Sequence, residues 1–318
     1  MPVPSRYSIF PQLGGCPFVG LRFTYQENTL SSLNLWIKLV LSIPPHSPTH
    51  MSTDRATVRS PAVAGTFYPD SPAKLAAAVQ QYIETADEFH FPPKALIAPH
   101  AGYIYSGPVA GTAYATVAGL RDQIQRVVLL GPAHRILFTG LAAPRVDAFC
   151  TPLGDIPLER STLDELANRY NYVHLRDDAH ALEHSLEVHL PFLQETLGAF
   201  QLLPLVIGQA NGREVETVLE ALWGGEETLV VISSDLSHYL DYEQARAIDL
   251  ETAQAIEALD PTLIRADQAC GRIPVSGLLR CARTHGLAVK RMDLRNSGDT
   301  AGTNDRVVGY GSWVLYAG

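Results

Sequence analysis

Three apolar segments of this chain have the length and β-branched character of strands that are buried on both faces. They are residues 94–99, 126–133 and 228–234. Each segment ends next to polar side chains that can bind a metal or transfer a proton. In open α/β sheets, ligands bind outside the carboxyl ends of parallel strands, so these side chains are expected to converge although they are far apart in sequence. They are His100, His134, Asp235 and His238.

The composition predicts a globular protein without affinity for polyanions. The chain has 318 residues, of which 46% are hydrophobic and 18% charged, which is enough material for one large core. Its formal net charge of -9 provides no basic field to neutralise phosphates, so binding to nucleic acid or to an anionic membrane is not expected. We expect the partner to be a small-molecule substrate or a peptide.

Cysteine usage indicates a reducing compartment. The chain has four cysteines, at positions 16, 150, 270 and 281, and no Cys-x-x-Cys pair. This spacing argues against a disulfide framework and against a zinc ribbon. A cytoplasmic location fits best.

Residues 1–52 lack the alternation of strands and helices that follows. Their apolar patch, residues 33–43, contains Lys38 and is about half the length of roughly 20 residues that a bilayer span requires. It is also too far from Met1 for a secretory signal. Patterned sequence begins soon after Met51, so we expect translation to start there, the alternative being a real but disordered extension.

The remainder, residues 53–318, is predicted to form a single α/β domain with a mainly parallel sheet, because strand and helix patterns alternate throughout it. The last strand, residues 305–316, has the alternation of a terminal antiparallel strand. The predicted helices are 71–86, 109–118, 161–170, 184–197, 212–222, 242–259 and 261–269.

Two further segments can carry chemistry. His184 precedes a predicted helix, whose amino-terminal N–H groups and dipole would lower its pKa, and Ser185 and Glu187 can help to cap and charge that helix. Cys270 falls in a turn marked by Gly271 and Pro274, after the predicted helix 261–269. Three other side chains receive lesser roles. His189 is interpreted as a packing residue, and Tyr103 and Tyr105 as candidate pocket residues.

Motifs of several common enzyme classes are missing from the sequence. It has no His-Glu-x-x-His, no Walker loop and no Gly-x-Ser-x-Gly elbow. Nucleotide binding and serine hydrolysis therefore lack support.

Six motifs, in order along the chain, resemble those of the Memo family, also called AmmeMemoRadiSam system protein B. They lie in residues 62–69, 98–103, 130–134, 183–191, 233–238 and 270–272. The resemblance implies a three-layer α/β sandwich with a central, mainly parallel mixed sheet, as in the LigB-type class III extradiol dioxygenases. The family's name implies functional association with a radical-SAM protein and an AMMECR-type protein.

The resemblance also implies roles for particular residues. It places His100, His134 and Cys270 at metal-binding positions and puts Asp235 and His238 in the same pocket. His184 corresponds to a pocket histidine that acts as an acid or base in the dioxygenases. We therefore expect one divalent metal, with His184, Asp235 and His238 as catalytic residues.

Cys270 separates this set from the dioxygenases, which hold Fe(II) with two histidines and a carboxylate. A thiolate is a softer ligand, so copper and zinc are possible beside the favoured Fe(II). Asp235 is the alternative third ligand. In that case Cys270 would contact the ligands without binding the metal, or would be a redox-sensitive group.

Three functions follow as hypotheses. The leading one is a metal-dependent, iron-type redox enzyme that acts on an unknown small molecule. The second is a non-catalytic binding or signalling module that uses a vestigial dioxygenase pocket for a peptide or metabolite. The third is a zinc hydrolase, which needs three strong protein ligands and an open position for water.

Overall fold

A nine-stranded mixed sheet forms the centre of the computed structural model, which describes residues 56–84 and 89–318. The predictions made for residues 1–52, including a start at Met51, lie outside the described residues. The strands within the described residues are β1 (Val58–Arg59), β2 (Pro93–Ala98), β3 (Arg126–Pro132), β4 (Leu141–Ala143), β5 (Ala148–Thr151), β6 (Gly154–Pro157), β7 (Val173–Leu175), β8 (Gln201–Ile207), β9 (Thr228–Ser233), β10 (His238–Leu240), β11 (Leu287–Asn296) and β12 (Val307–Ala317).

The centre of the sheet is parallel and buried. Strands β2, β9, β3 and β8 lie side by side in that order, and all three pairings are parallel. Strand β12 pairs antiparallel with β2 and β11, as predicted for the terminal strand. Strands β4 and β7 extend the sheet beyond β8, β10 pairs with β12, and β1, β5 and β6 form a separate small sheet.

Helices flank the large sheet. They are α1 (Pro72–Glu84), α2 (Tyr103–Ala115), α3 (Arg160–Arg169), α4 (Asp177–Ala181), α5 (Leu190–Thr196), α6 (Gly212–Leu222), α7 (Tyr242–Glu257) and α8 (Arg272–Thr284). Helix α2 packs against α1 and α5, α6 packs against α8, and α7 lies against β11 and β12. The predicted α/β fold is confirmed. Within the described residues, no helix combines the length and apolar character needed to cross a bilayer.

Helix α6 shows how local sequence sets these boundaries. The Asn211 side chain accepts from the backbone N–H of Glu214, and the Glu214 carboxylate accepts from the backbone N–H of Asn211. This capping box starts the helix at the predicted residue. Its apolar side chains, spaced three and four residues apart, are buried. They are Val215, Val218, Leu219 and Leu222.

Other boundaries differ from the predictions. Helix α2 begins at Tyr103 and continues through Pro108, which was predicted to precede it. Of the predicted helix 261–269, only the single 3-10 turn Pro261–Leu263 forms. Helix α8 and strand β11 were not predicted at all. Cys270 consequently stands just before the amino terminus of a long helix and does not follow one.

Candidate metal site

His100 stands two residues beyond β2, with its ring held in one orientation. Its Nδ1 lies 2.5 Å from Oγ of Ser233, the last residue of β9. The Ser233 hydroxyl donates its only hydrogen to the Ser185 carbonyl at 2.6 Å, so it must accept from Nδ1–H of His100. The lone pair of the neutral ring is therefore on Nε2, which lies 3.5 Å from Sγ of Cys270.

His134 stands two residues beyond β3 and is fixed by Glu183. Its Nδ1 lies 2.9 Å from Oε1 of Glu183, and its backbone N–H donates to Oε2 at 2.5 Å. Burial raises the pKa of Glu183, but hydrogen bonds from His134 and Ser185 outweigh this effect and lower the pKa to about 2. Because an ionised carboxylate only accepts, Nδ1 of His134 carries hydrogen and Nε2 of the neutral ring is free to act as a ligand.

His184 lies between the other rings of the site and the segment that follows β1. Its ring stacks on that of His134 with 4.8 Å between the centroids, and the Phe67 ring lies 4.8 Å away on a tilted plane. Its Nδ1 is buried without a hydrogen bond, 3.4 Å from Oε1 of Glu183. Such an unsatisfied nitrogen beside two oriented imidazoles is consistent with a ligand position.

The three histidines bring potential ligand atoms within 4.8 Å of one another. Burial lowers the pKa of His100 well below its usual range, and the positive charges of protonated His134 and His184 would lower it further. Burial also lowers the pKa of His184. Burial is the largest cause of the lowered pKa of His184, whereas the sequence suggested that a helix amino terminus would lower it. Neutral imidazole is the form that binds metals, so these residues could hold an ion.

Cys270 and Asp235 lie on the other side of His100. The Cys270 sulfur accepts from the backbone N–H of Asp235 at 3.2 Å, and Oδ1 of Asp235 accepts from the backbone N–H of His100 at 2.8 Å. Oδ2 of Asp235 is 4.0 Å from Nε2 of His100. Burial raises the pKa of Cys270, and the charge of Asp235 raises it further. Burial likewise raises the pKa of Asp235. A nearby cation would reverse both shifts.

His238 lies at the edge of this cluster. It starts β10, is exposed, and its charge would lower the pKa of both Asp235 and His100. The next residue, Tyr239, has a positive φ of 60° at a register shift between β10 and β12. Such bulges re-aim side chains and are frequent beside functional sites.

The structure therefore brings all six predicted site residues into one region. It adds Glu183, which the sequence motif contained but to which no role was assigned. The signal was present, since Glu183 directly precedes His184, yet its bond to His134 joins residues 49 positions apart. The predicted third metal ligand, Cys270 or alternatively Asp235, stays a prediction, and the geometry adds His184 as a further candidate.

Glu187 has a structural role that differs from the predicted capping role. Its fully buried carboxylate accepts from Nη1 of Arg59 at 2.8 Å and from the Tyr68 hydroxyl at 2.6 Å. Two backbone N–H groups, of Ala62 and Val63, also donate to it. Glu187 thus anchors the segment that carries Phe67 against His184.

Ser185, Tyr103 and His189 hold the interior together. The Ser185 hydroxyl donates to the Pro132 carbonyl at 2.8 Å instead of capping a helix. Tyr103 is only 2% exposed and donates to the Val188 carbonyl, so it is a core residue and not the predicted pocket residue. His189 is buried, with Nδ1 2.8 Å from the Tyr114 hydroxyl. Tyr105 is half-buried close to Tyr310.

A cavity of about 410 Å³ adjoins the site. His134 and Cys270 both line it, together with mainly apolar side chains. Eight large hydrophobic side chains are exposed in the described part of the chain, and four of them lie within four residues of a site histidine in sequence. These four are Ile104, Leu137, Leu182 and Tyr239.

Comparison with known proteins gives a consistent match. The family model described as Memo-like protein matches residues 59–314. A MEMO1 family protein of Aquifex aeolicus is 37% identical over 271 residues, which cover 80% of this chain and 97% of that protein. Those of Aeropyrum pernix and Methanosarcina barkeri are 34% and 33% identical, over 80% and 81% of this chain and 98% and 100% of theirs.

Proposed function

The chain belongs to the Memo family, and we propose that it is an enzyme with a mononuclear metal centre that performs iron-type redox chemistry on a small molecule. The observation that carries this proposal is the orientation of His100 and His134. Nδ1 of His100 is hydrogen-bonded to Ser233 and Nδ1 of His134 to Glu183, so the Nε2 lone pairs of both rings are available. Histidine ligands of metals are typically held in this way by a hydrogen bond to the other ring nitrogen.

The chemistry of the donor groups fits a transition metal. Two oriented imidazoles, with His184, Cys270 and Asp235 as candidates for the third ligand, suit Fe(II), copper or zinc better than the oxygen-preferring Mg²⁺ or Ca²⁺. We favour iron. A bound iron would supply Lewis acidity and one-electron chemistry at this position.

The remaining polar groups support proton transfer at the same place. Burial raises the pKa of Asp235, so its carboxyl holds a proton more readily than an exposed one. His238 is exposed at the edge of the site, where it can exchange protons with solvent. We assign Asp235 and His238 to proton movement. His184 positions substrate or accepts a proton whenever it is not a ligand.

A zinc hydrolase is the second candidate, because three histidines can form a zinc site that leaves one position for water. Metal identity distinguishes it from the redox enzyme. The protein should be purified without added metal and without oxygen, and its metals measured by elemental analysis. About one iron per chain supports the redox enzyme, whereas about one zinc per chain supports the hydrolase.

His134→Ala tests the site itself. We expect this variant to lose the metal, while His174→Ala, which changes an exposed histidine on β7, should retain it. Circular dichroism confirms that both variants fold. Equal metal content in the two variants contradicts the assignment of His134 and with it the proposed centre.

A further inference from the structure

The cavity beside the metal site has a chemical character that limits what can occupy it. Its volume of about 410 Å³ lies in the range of small-molecule sites. Its walls are largely apolar. They are formed by Ile136, Leu137, Phe138, Ile207, Ile273 and Pro274. Phe138 is 7% exposed and Ile207 is 3% exposed, so these two residues form a buried inner wall of the cavity. Leu137, at the opening, is 82% exposed.

Arg135 is the permanently charged residue in this lining. Of the cavity residues, all of which belong to the described part of the chain, no other is an Arg, Lys, Asp or Glu. The positive charge of Arg135 also lowers the pKa of His184, so the guanidinium stands close enough to influence the metal site.

The side chain of Arg135 is exposed. Within residues 56–84 and 89–318 it has no hydrogen bond, ion pair or aromatic contact. Arg59 is paired with Glu187 and Arg306 lies over the Tyr239 ring at 5.2 Å, whereas Arg272 also lacks a partner among the described residues but does not line the cavity. An arginine presents a planar fork of donors that matches a carboxylate. Arg135 therefore offers an unused anion-binding group at an apolar cavity.

We propose that this cavity binds an amphipathic carboxylate, whose carboxylate pairs with Arg135 and whose apolar body packs against Leu137, Phe138 and Ile273. This inference rests on the proposed function in taking the cavity for the substrate site. It assigns the substrate class to apolar organic acids of a size that 410 Å³ can hold. A neutral apolar molecule would leave the guanidinium unpaired, and a strongly hydrophilic anion would leave the apolar wall uncovered.

The test uses metal-free protein, so that its outcome does not depend on metal binding. The probes are 4-phenylbutanoate and the neutral 4-phenylbutan-1-ol, which share an apolar body, and their binding is measured by NMR titration. We expect the carboxylate to bind at least tenfold more tightly than the alcohol. Backbone signals of residues 133–138 and 270–274 should shift. Equal affinities for the two probes would overturn the proposal.

Three variants identify the groups responsible. Arg135→Gln should remove the preference for the carboxylate and leave affinity for the alcohol unchanged, whereas Leu137→Ser should weaken both probes. Arg213→Gln, which changes an exposed arginine on α6, is the matched control and should bind both probes like the parent. A carboxylate preference that survives Arg135→Gln contradicts the role of Arg135. The two proposals can fail separately. If the His134→Ala variant keeps its metal but the carboxylate preference is lost in Arg135→Gln, the proposed metal centre is contradicted and the proposed carboxylate site is supported.

Discussion

Nδ1 of His134 lies 2.9 Å from Oε1 of Glu183, a side chain that is 2% exposed. The same carboxylate accepts from the backbone N–H groups of His134, His184 and Ser185, so one acid organises two of the three clustered histidines. Its low pKa, about 2, keeps it ionised at neutral pH. Glu183 therefore fixes the tautomer of His134 and also the path of the chain through His184.

Glu183→Gln should weaken metal binding while leaving the ligands in place. The amide lacks the negative charge that strengthens His134 as a donor, and loss of such a group typically lowers metal affinity about 10- to 100-fold. Affinity is measured by competition with a chelator. Glu243→Gln is the control, because the Glu243 side chain is 77% exposed and pairs with Arg246 instead of a site residue. Equal affinities in the two variants would show that Glu183 does not act through His134.

Glu187→Gln should destabilise the whole fold. The Glu187 and Arg59 side chains are 0% and 5% exposed, and removing one charge leaves the other buried without compensation. Breaking a buried pair in this way costs about 3–5 kcal/mol. The free energy of unfolding in urea measures the loss. Glu251→Gln breaks an ion pair with Arg265 in which both side chains are more than half exposed, and should cost less than about 1 kcal/mol.

Asp249 should make stability depend on pH. Burial raises its pKa from 3.8 to about 6, although the Ser237 backbone N–H donates to it at 3.0 Å. The folded state resists ionisation, so Asp249 costs nothing below about pH 4. The cost grows between pH 4 and 6 and is complete above pH 6, at about 3 kcal/mol or less. Asp249→Asn, which removes the charge, should therefore stabilise the protein above pH 6 but not at pH 4. Urea unfolding at both pH values checks this, and a pH-independent difference would contradict it.

Gly140 should tolerate alanine worse than Gly286 does. Both residues have positive φ, 86° and 63°, which costs an alanine roughly 1–2 kcal/mol in either place. At Gly140 a Cβ would also lie 2.1 Å from the Tyr172 carbonyl oxygen, whereas nothing lies within 4 Å at Gly286. Thermal denaturation of Gly140→Ala and Gly286→Ala separates the two effects. Equal decreases in melting temperature for the two variants would mean that the Tyr172 backbone shifts away from the added Cβ at no cost in stability.

The strand ends of the site could be predicted because their information is local. Runs of β-branched residues identify β2, β3 and β9, and parallel pairing places His100, His134 and Asp235 at one edge. Helix α8 was missed because Gly271 and Pro274 suggested a turn. Pro274 lies in the first turn of the helix, where a missing N–H removes no intrahelical hydrogen bond.

Strand β11 and the anchoring acids were missed for other reasons. Strand β11 is half-exposed and rich in charge, so it lacks the apolar alternation of a strand with one buried face. Glu183 and Glu187 act on partners 49 and 128 residues away, and no local pattern reports such contacts. The sequence could identify the polar residues at the site, but not which of them orient the others.

The order in which the site can be assembled follows from the pairing of β2. This strand leads into His100 and lies between β9 and β12, so its final neighbour comes from residues 307–317. Cys270 is also 170 residues downstream of His100. During synthesis, His100 and Cys270 therefore cannot both reach their final positions until almost all of β12 has left the ribosome. A metal bound through both His100 and Cys270, which is one form of the proposed centre, would therefore be loaded after β12 has been synthesised.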